Sequence, residues 1–218
     1  MPDPLVRSRT LLGRSVEKRP ITAVELGDPN ASHRVLVFGV IHGNEVAGRA
    51  ITHVLERGPL PRATDLWVVD SLNPDGVAHH TRQNARRVDL NRNFTYRWRP
   101  LGRPGDLQYS GRGPLSEPES RIAHSLISRL RPDVTIWFHQ PLGVTDLSGG
   151  DPQIERRFGR VSGLPVKQLP RYPGSASTWQ NHRFRSATAF VVELPPGRGV
   201  PGDVARYVRA VRVASSLE

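Results

Sequence analysis

Four runs of apolar residues recur along the chain, each nearly uninterrupted by polar positions, at residues 34–40, 66–69, 134–138 and 188–194. They are rich in β-branched and aromatic side chains, which favour strands. A short continuous apolar run is typical of a strand that is covered on both faces. We therefore expect these runs to form the central strands of one buried sheet.

Helical patterns lie between these runs. Residues 46–57 follow the first run, and Ser116-Glu-Pro-Glu119 has the spacing of a capping box that starts a helix through about Leu130. Asp151 and Pro152 resemble a helix cap and a first-turn proline. A closing helix has its apolar stripe at Val204, Tyr207, Val208 and Val211. This alternation predicts a three-layer α/β/α fold with a mixed, largely parallel central sheet.

The length of the chain, 218 residues, suits a single domain. We expect residues 1–18 to be loosely held and residues 19–218 to form the domain. Residues 73–114 are polar and rich in glycine, proline and arginine. That composition indicates an extended loop region with a functional role.

The composition limits the partners and the chemistry. The net charge is +11, almost all from arginines that are scattered in ones and twos. They form a solvated surface or attract small acidic substrates, and we do not expect nucleic acid as a partner. The absence of cysteine excludes disulfides and thiolate metal sites and favours the cytoplasm. We see no signal peptide and no apolar segment long enough to span a membrane, so we expect a cytoplasmic protein.

Ionisable side chains follow the ends of three predicted strands. The first run leads into His42-Gly-Asn-Glu45, the third is followed by His139, and the last ends in Glu193. Ligands of open α/β sheets bind at the carboxyl ends of strands, so these groups are expected at one edge. Taken singly, each is more often a structural or surface residue. Two histidines and one carboxylate are, however, typical protein ligands of a catalytic zinc, which keeps one position open.

Arginines of the loop region, residues 73–114, could complete a hydrolase site. One arginine can stabilise the oxyanion of a tetrahedral intermediate, and a second can bind a substrate carboxylate. Residue type alone does not rank the candidates, which are Arg82, Arg86, Arg87 and Arg92.

Together these motifs resemble the zinc carboxypeptidase family, and within it the murein peptide amidases. The resemblance runs from about Val35 to Leu194 and includes His42-Gly-Asn-Glu45, Asn73-Pro-Asp-Gly76, Val88-Asp-Leu-Asn-Arg-Asn-Phe94, His139 and Val192-Glu193-Leu194. The combination is specific, although each motif alone is weak. Arg87 departs from the pattern, because it stands where relatives usually have glycine.

The resemblance implies a role for each matching residue. One zinc ion per chain would be held by His42, Glu45 and His139, with Glu193 as general base and then general acid. Arg82 would face the oxyanion, and Asn91 with Arg92 the substrate carboxylate. Asp89 would orient the first zinc histidine, or simply cap a loop. Tyr172 would be a mobile substrate-contacting residue, or part of a surface turn anchored by Trp179.

The function implied is zinc-dependent hydrolysis of an amide or peptide bond next to a free carboxylate. The leading substrate is the γ-D-glutamyl-diaminopimelate bond of murein peptides, a small acidic ligand. One alternative is a deacylase of N-acyl amino acids, of the succinylglutamate desuccinylase or aspartoacylase type. Another is a basic binding protein without catalysis. The sequence leaves the oligomeric state open.

Overall fold

The computed structural model describes residues 5–197 and 199–214. Within them, the strands are β1 Val6–Arg14, β2 Pro20–Gly27, β3 Arg34–Phe38, β4 Asp65–Val69, β5 Val134–His139, β6 Val144–Asp146, β7 Val166–Lys167 and β8 Thr188–Glu193. The helices are α1 Gly48–Arg57, α2 Pro74–His79, α3 Pro118–Leu130, α4 Pro152–Ser162, α5 Ala176–Arg183 and α6 Pro201–Ala214.

All eight strands join one mixed sheet in the order β1-β2-β4-β3-β5-β8-β6-β7. The four strands predicted from apolar runs, β3, β4, β5 and β8, are its parallel centre. Antiparallel pairings join β1 to β2, β2 to β4 and β6 to β8. The parallel centre aligns the carboxyl ends of β3, β5 and β8 at one edge of the sheet.

Two apolar cores cover the two faces of this sheet. On one face, Val35 and Val37 of β3 pack with residues of α1, α4 and α6. On the other, Leu36 and Phe38 pack with residues of α3 and α5, and the Phe38 ring stacks on Trp137 with centroids 3.9 Å apart. Alternate residues of one strand therefore face different cores, which explains the uninterrupted apolar run. The predicted three-layer α/β/α fold is confirmed.

The N-terminal segment that we expected to be loosely held contains the edge strand β1. It pairs antiparallel with β2 from Val6 opposite Gly27 to Arg14 opposite Pro20. The strand also lies against α3, because a Cβ added to Gly13 would come within 2.7 Å of the Ile122 side chain. Most side chains of β1 are exposed, so no apolar run marks the strand in the sequence.

Of the two helix N-termini predicted from capping residues, one is confirmed and one is wrong. The cap of α4 is as predicted: Asp151 Oδ1 accepts a hydrogen bond from the Gln153 backbone N–H at 2.8 Å, and Pro152 opens the helix. The prediction of a capping box for α3 is wrong, because no side chain makes a capping hydrogen bond at the N-terminus of that helix. Ser116 Oγ instead donates to Glu117 Oε1 at 2.8 Å.

The displaced member of that capping box is Glu119. Its carboxylate accepts hydrogen bonds from the Val16 backbone N–H at 3.0 Å and from Asn84 Nδ2 at 3.0 Å. These contacts draw Glu119 into the protein and away from the helix start. Across the described ranges, no helix has both the length and the apolar character needed to cross a membrane.

Candidate active site

The sheet brings the predicted site residues to one edge. His139 is the last residue of β5, and its Cα stands opposite that of Glu193, the last residue of β8. His42 follows β3, which pairs with β5 on its other side. Parallel pairing therefore delivers these groups to one place, as the sequence predicts.

His42, Glu45 and His139 converge with their donor atoms in mutual contact. The two imidazole Nδ1 atoms are 3.1 Å apart, and Glu45 Oε2 lies 3.0 Å from Nδ1 of His42 and 2.9 Å from Nδ1 of His139. All three side chains are buried. Two imidazole nitrogens and a carboxylate oxygen are the donor set that a divalent zinc ion takes in hydrolases, so the residues fit such an ion. No second group of this kind exists among the described residues.

Asp89 fixes the orientation of the first imidazole. Its Oδ1 lies 3.0 Å from His42 Nε2. A carboxylate can only accept, so Nε2 carries the proton and Nδ1 presents its lone pair to the cluster. Burial alone would raise the pKa of Asp89, but the neighbouring His42 and Arg82 hold that pKa below its ordinary value. The same Oδ1 accepts the Asn91 backbone N–H at 2.9 Å, so Asp89 makes both contacts that the sequence suggested.

The Asn73–Gly76 motif supports the turn that carries His42. Asn73 Nδ2 donates to the carbonyl oxygens of Ile41 at 3.1 Å and Arg82 at 3.2 Å, while its Oδ1 accepts the Gly76 N–H at 2.9 Å. Gly43 packs directly on this motif, since an added Cβ would stand 1.9 Å from the Gly76 carbonyl carbon. The motif is the N-cap and first turn of α2, and its role is to hold the metal-site turn.

Arg82 contacts the carboxylates of Glu45 and Asp89. Its Nη1 donates to Glu45 Oε1 at 2.8 Å, and its Nε donates to Asp89 Oδ2 at 3.0 Å. Glu45 thus uses one oxygen for Arg82 and turns the other toward the imidazoles. Burial would raise the pKa of Glu45, but the imidazoles of His42 and His139 hold it well below its ordinary value.

Glu193 lies in the same cleft with a less engaged carboxylate. Its Oε2 accepts a long hydrogen bond from the Leu142 backbone N–H, at 3.5 Å. Burial raises the pKa of Glu193, and the charge of Glu45 adds to this, while His139 opposes it. The group therefore combines a strand-end position beside the imidazoles with an enhanced tendency to hold a proton.

Arg92 is a buried cation with unused hydrogen-bonding capacity. Its guanidinium carbon lies 4.1 Å from the ring centre of Tyr172, which is 41% exposed. Its Nε has no hydrogen-bond partner among the residues that the structure describes. Burial lowers the pKa of Arg92, and the charge of Asp89 opposes that effect. A guanidinium that lines a cleft can bind an anion.

Asn91 joins two parts of the site. Its Oδ1 accepts the Ala176 backbone N–H at 2.9 Å, and its Nδ2 lies 3.5 Å from His139 Nε2. Ala176 is the first residue of α5, so this hydrogen bond connects the loop region, residues 73–114, to that helix. The stretch from Tyr172 to Trp179 therefore runs into a helix, and Trp179 is buried.

The cleft has a volume of about 270 Å³. Of the four unranked arginines, Arg82 and Arg92 line it, whereas Arg86 and Arg87 are exposed elsewhere. Arg87 adopts a left-handed backbone with φ +61°, the conformation that favours glycine. The predicted site residues that line the cleft are His42, Glu45, Arg82, Asn91, Arg92, His139, Tyr172 and Glu193.

Sequence reasoning missed several residues of the cleft. Gln140 Oε1 accepts the Ala47 backbone N–H at 2.9 Å, and its Nε2 donates to the carbonyl oxygens of Pro195 and Gly197. Its position directly after His139 is the only signal that could have found it. The other missed cleft residues include Asp146, which lies far from any recognisable motif, and Arg171, whose only signal is its place directly before Tyr172.

The chain belongs to the zinc carboxypeptidase family, whose sequence model matches residues 3–141. It is accordingly a zinc-dependent hydrolase. Its relatives include murein peptide amidase A of Vibrio campbellii, 32% identical over 203 residues that cover 86% of this chain and 79% of the relative. The murein peptide amidase A of Escherichia coli K12 is 30% identical over 184 residues, covering 77% and 74%.

Solved structures agree with this assignment. The murein-tripeptide amidase of Escherichia coli O157 superposes with a TM-score of 0.78 at 25% identity, covering 99% of this chain and 94% of its own. Carboxypeptidase A of Helicoverpa armigera superposes with a TM-score of 0.81 at 18% identity, covering 96% and 68%. The second likeness shows the shared fold.

Proposed function

We propose that this chain hydrolyses the γ-D-glutamyl-diaminopimelate amide bond of murein peptides. The observation that carries the proposal is the convergence of two imidazole nitrogens and a carboxylate oxygen in one cleft with Glu193 and the buried Arg92. The relatives named murein peptide amidase support the choice of substrate, since the alignments cover most of both chains.

In this proposal, the metal ligands are Nδ1 of His42, Nδ1 of His139 and Oε2 of Glu45. Their present contacts of 2.9–3.1 Å leave the three atoms facing a common point. Asp89 keeps the first imidazole in the required tautomer. When bound, zinc supplies a Lewis acid that polarises the scissile carbonyl and lowers the pKa of water towards ~7.

Glu193 performs the proton transfers. Its carboxylate takes a proton from the attacking water and delivers it to the leaving amine of the diaminopimelate residue. The position supports this role, because Glu193 borders His139 in the sheet, and its side chain accepts a long hydrogen bond of 3.5 Å from the Leu142 backbone N–H.

The remaining cleft residues hold the substrate. Arg92, with Asn91 beside it, binds the carboxylate next to the scissile amide through the guanidinium that lines the cleft. Arg82 lies at the metal cluster and stabilises the oxyanion. Tyr172 stacks on Arg92 and contacts the bound peptide.

The test is an assay of L-alanyl-γ-D-glutamyl-meso-diaminopimelate with zinc-loaded protein. We expect release of free diaminopimelate. Glu193→Gln should keep one zinc per chain but lose roughly 10²- to 10⁴-fold in rate, whereas the surface control Glu25→Gln should not change it. Failure of the zinc-loaded wild type to release diaminopimelate would contradict the substrate. Full activity of Glu193→Gln would contradict the proton shuttle, and release of glutamate from N-succinylglutamate would favour the deacylase alternative.

A further inference from the structure

A second pair of charged side chains lines the cleft and has no role in the proposed chemistry. Asp146 is the last residue of β6, which pairs antiparallel with β8 so that Val144 stands opposite Glu193. Arg171 lies in the segment between β7 and α5, next to Tyr172. Both line the cleft that contains His42, Glu45 and His139.

Arg171 is held in one orientation. Its Nη1 donates to Asp146 Oδ2 at 2.7 Å and to the Leu169 carbonyl oxygen at 3.1 Å. Its Nη2 donates to the carbonyl oxygen of Leu147. The side chain is 32% exposed, and Arg171 is among the residues that line the cleft. A cation that is already fixed loses little conformational entropy when it binds an anion.

Asp146 is itself fixed by its surroundings. It is 2% exposed, and it accepts hydrogen bonds from Ser148 Oγ at 2.7 Å and from the Leu169 backbone N–H at 2.8 Å. With Arg171 as its third donor, the carboxylate has few acceptor positions left for a ligand. Asp146 is therefore a positioning residue for Arg171.

Besides Arg82, which contacts Glu45 and Asp89, the cleft presents the guanidinium groups of Arg92 and Arg171. Tyr172 adjoins both residues, because it follows Arg171 in the chain and its ring stacks on Arg92. Arg92 is assigned above to the carboxylate beside the scissile amide. A substrate that uses both arginines needs a second anionic group on the residue that leaves.

Diaminopimelate has such a group. Its side chain ends in an ammonium and a carboxylate, and lysine is the same side chain without that distal carboxylate. We propose that Arg171, held by Asp146, binds the distal carboxylate and makes the enzyme prefer peptides that end in diaminopimelate over peptides that end in lysine. This inference rests on the proposed function.

The experiment compares two tripeptides, L-alanyl-γ-D-glutamyl-meso-diaminopimelate and its L-lysine counterpart, as substrates of the zinc-loaded protein. Arg171→Gln should lower kcat/KM for the diaminopimelate peptide roughly 10- to 100-fold, the range for one charged hydrogen-bonded contact. Its kcat/KM for the lysine peptide should change less than about twofold. Asp146→Asn should shift the ratio in the same direction. The control is Arg160→Gln, an exposed arginine on α4 outside the cleft, which should leave both values unchanged.

Arg171→Lys keeps a positive charge beside the buried Asp146 and serves if Arg171→Gln fails to fold. It should retain part of the preference, because it keeps the charge but loses the planar fork. Titration of free meso-diaminopimelate and of L-lysine into zinc-loaded Glu193→Gln, with and without Arg171→Gln, gives a readout that does not need turnover. Only the affinity for diaminopimelate should fall when Arg171 is replaced.

The outcomes separate the two proposals. A wild type that cleaves neither peptide contradicts the proposed function, and the titration then decides the role of Arg171. A wild type that cleaves both peptides equally well overturns the inference alone. So does an Arg171 variant with normal zinc content that loses activity on both peptides in proportion.

Discussion

Glu155 is a buried acid whose ionisation should weaken the fold as the pH rises. Its side chain is 1% exposed, and its Oε1 accepts the Ser148 backbone N–H at 2.8 Å. Burial raises the pKa of Glu155 to about 7, and the charge of Asp146 adds to this. Between the ordinary value of 4.5 and about 7, the folded protein holds a proton that the unfolded chain has lost. The free energy of unfolding therefore falls with rising pH across this window, by about 3 kcal/mol from this group.

Glu155→Gln removes this titration and keeps an amide oxygen for the Ser148 N–H. The variant should gain about 3 kcal/mol relative to the wild type between about pH 4 and about pH 8. Urea unfolding followed by circular dichroism measures the difference, with identical metal content in both samples. The control is Glu25→Gln, in which the replaced carboxylate accepts a hydrogen bond from Ser8 Oγ at the surface. A flat difference for Glu155→Gln would refute the reasoning.

Three further substitutions test the supports of the site. Gly43→Ala should abolish tight zinc binding, because the added Cβ would stand 1.9 Å from the Gly76 carbonyl carbon; a zinc titration with unchanged affinity would argue against this. Arg87→Gly should raise the free energy of unfolding by up to ~1 kcal/mol, because relief of the left-handed strain of roughly 1–2 kcal/mol outweighs the greater unfolded-state freedom of glycine. Thermal unfolding should show higher stability for Arg87→Gly and lower stability for the control Arg86→Gly. Lower stability of both variants would disprove the strain at Arg87. Asp89→Asn should weaken zinc binding ~10- to 100-fold, as judged by competition with a chelator, because His42 Nε2 loses its charged acceptor; wild-type affinity would contradict the orienting role.

The central strands were predictable from the sequence because both of their faces are buried. A strand such as β3, with Val35 and Val37 on one core and Leu36 and Phe38 on the other, has to be apolar throughout. The edge strand β1 carries mostly exposed side chains, and β6 and β7 span only three and two residues. Such strands are defined by backbone pairing, which leaves little trace in side-chain pattern.

The site was predictable where chemistry follows a strand end, as at His139 and Glu193. It was not predictable where a charged residue enters the cleft from an irregular segment. Asp146, distant in sequence, orients Arg171 by accepting a hydrogen bond from its Nη1 at 2.7 Å. In the sequence, the only signal for Arg171 is its place directly before Tyr172, which is weak in a chain rich in arginine. The capping box of α3 failed for a related reason, since tertiary contacts of Glu119 outweighed a local signal.

The central claim is that one metal ion is bound where the two imidazoles and the carboxylate meet. Anomalous diffraction at the zinc absorption edge, from crystals of the zinc-loaded chain, tests it most directly. We expect one peak within about 2.0–2.2 Å of Nδ1 of His42, Nδ1 of His139 and an oxygen of Glu45. A zinc peak elsewhere on the chain, with none at these three atoms, would contradict it.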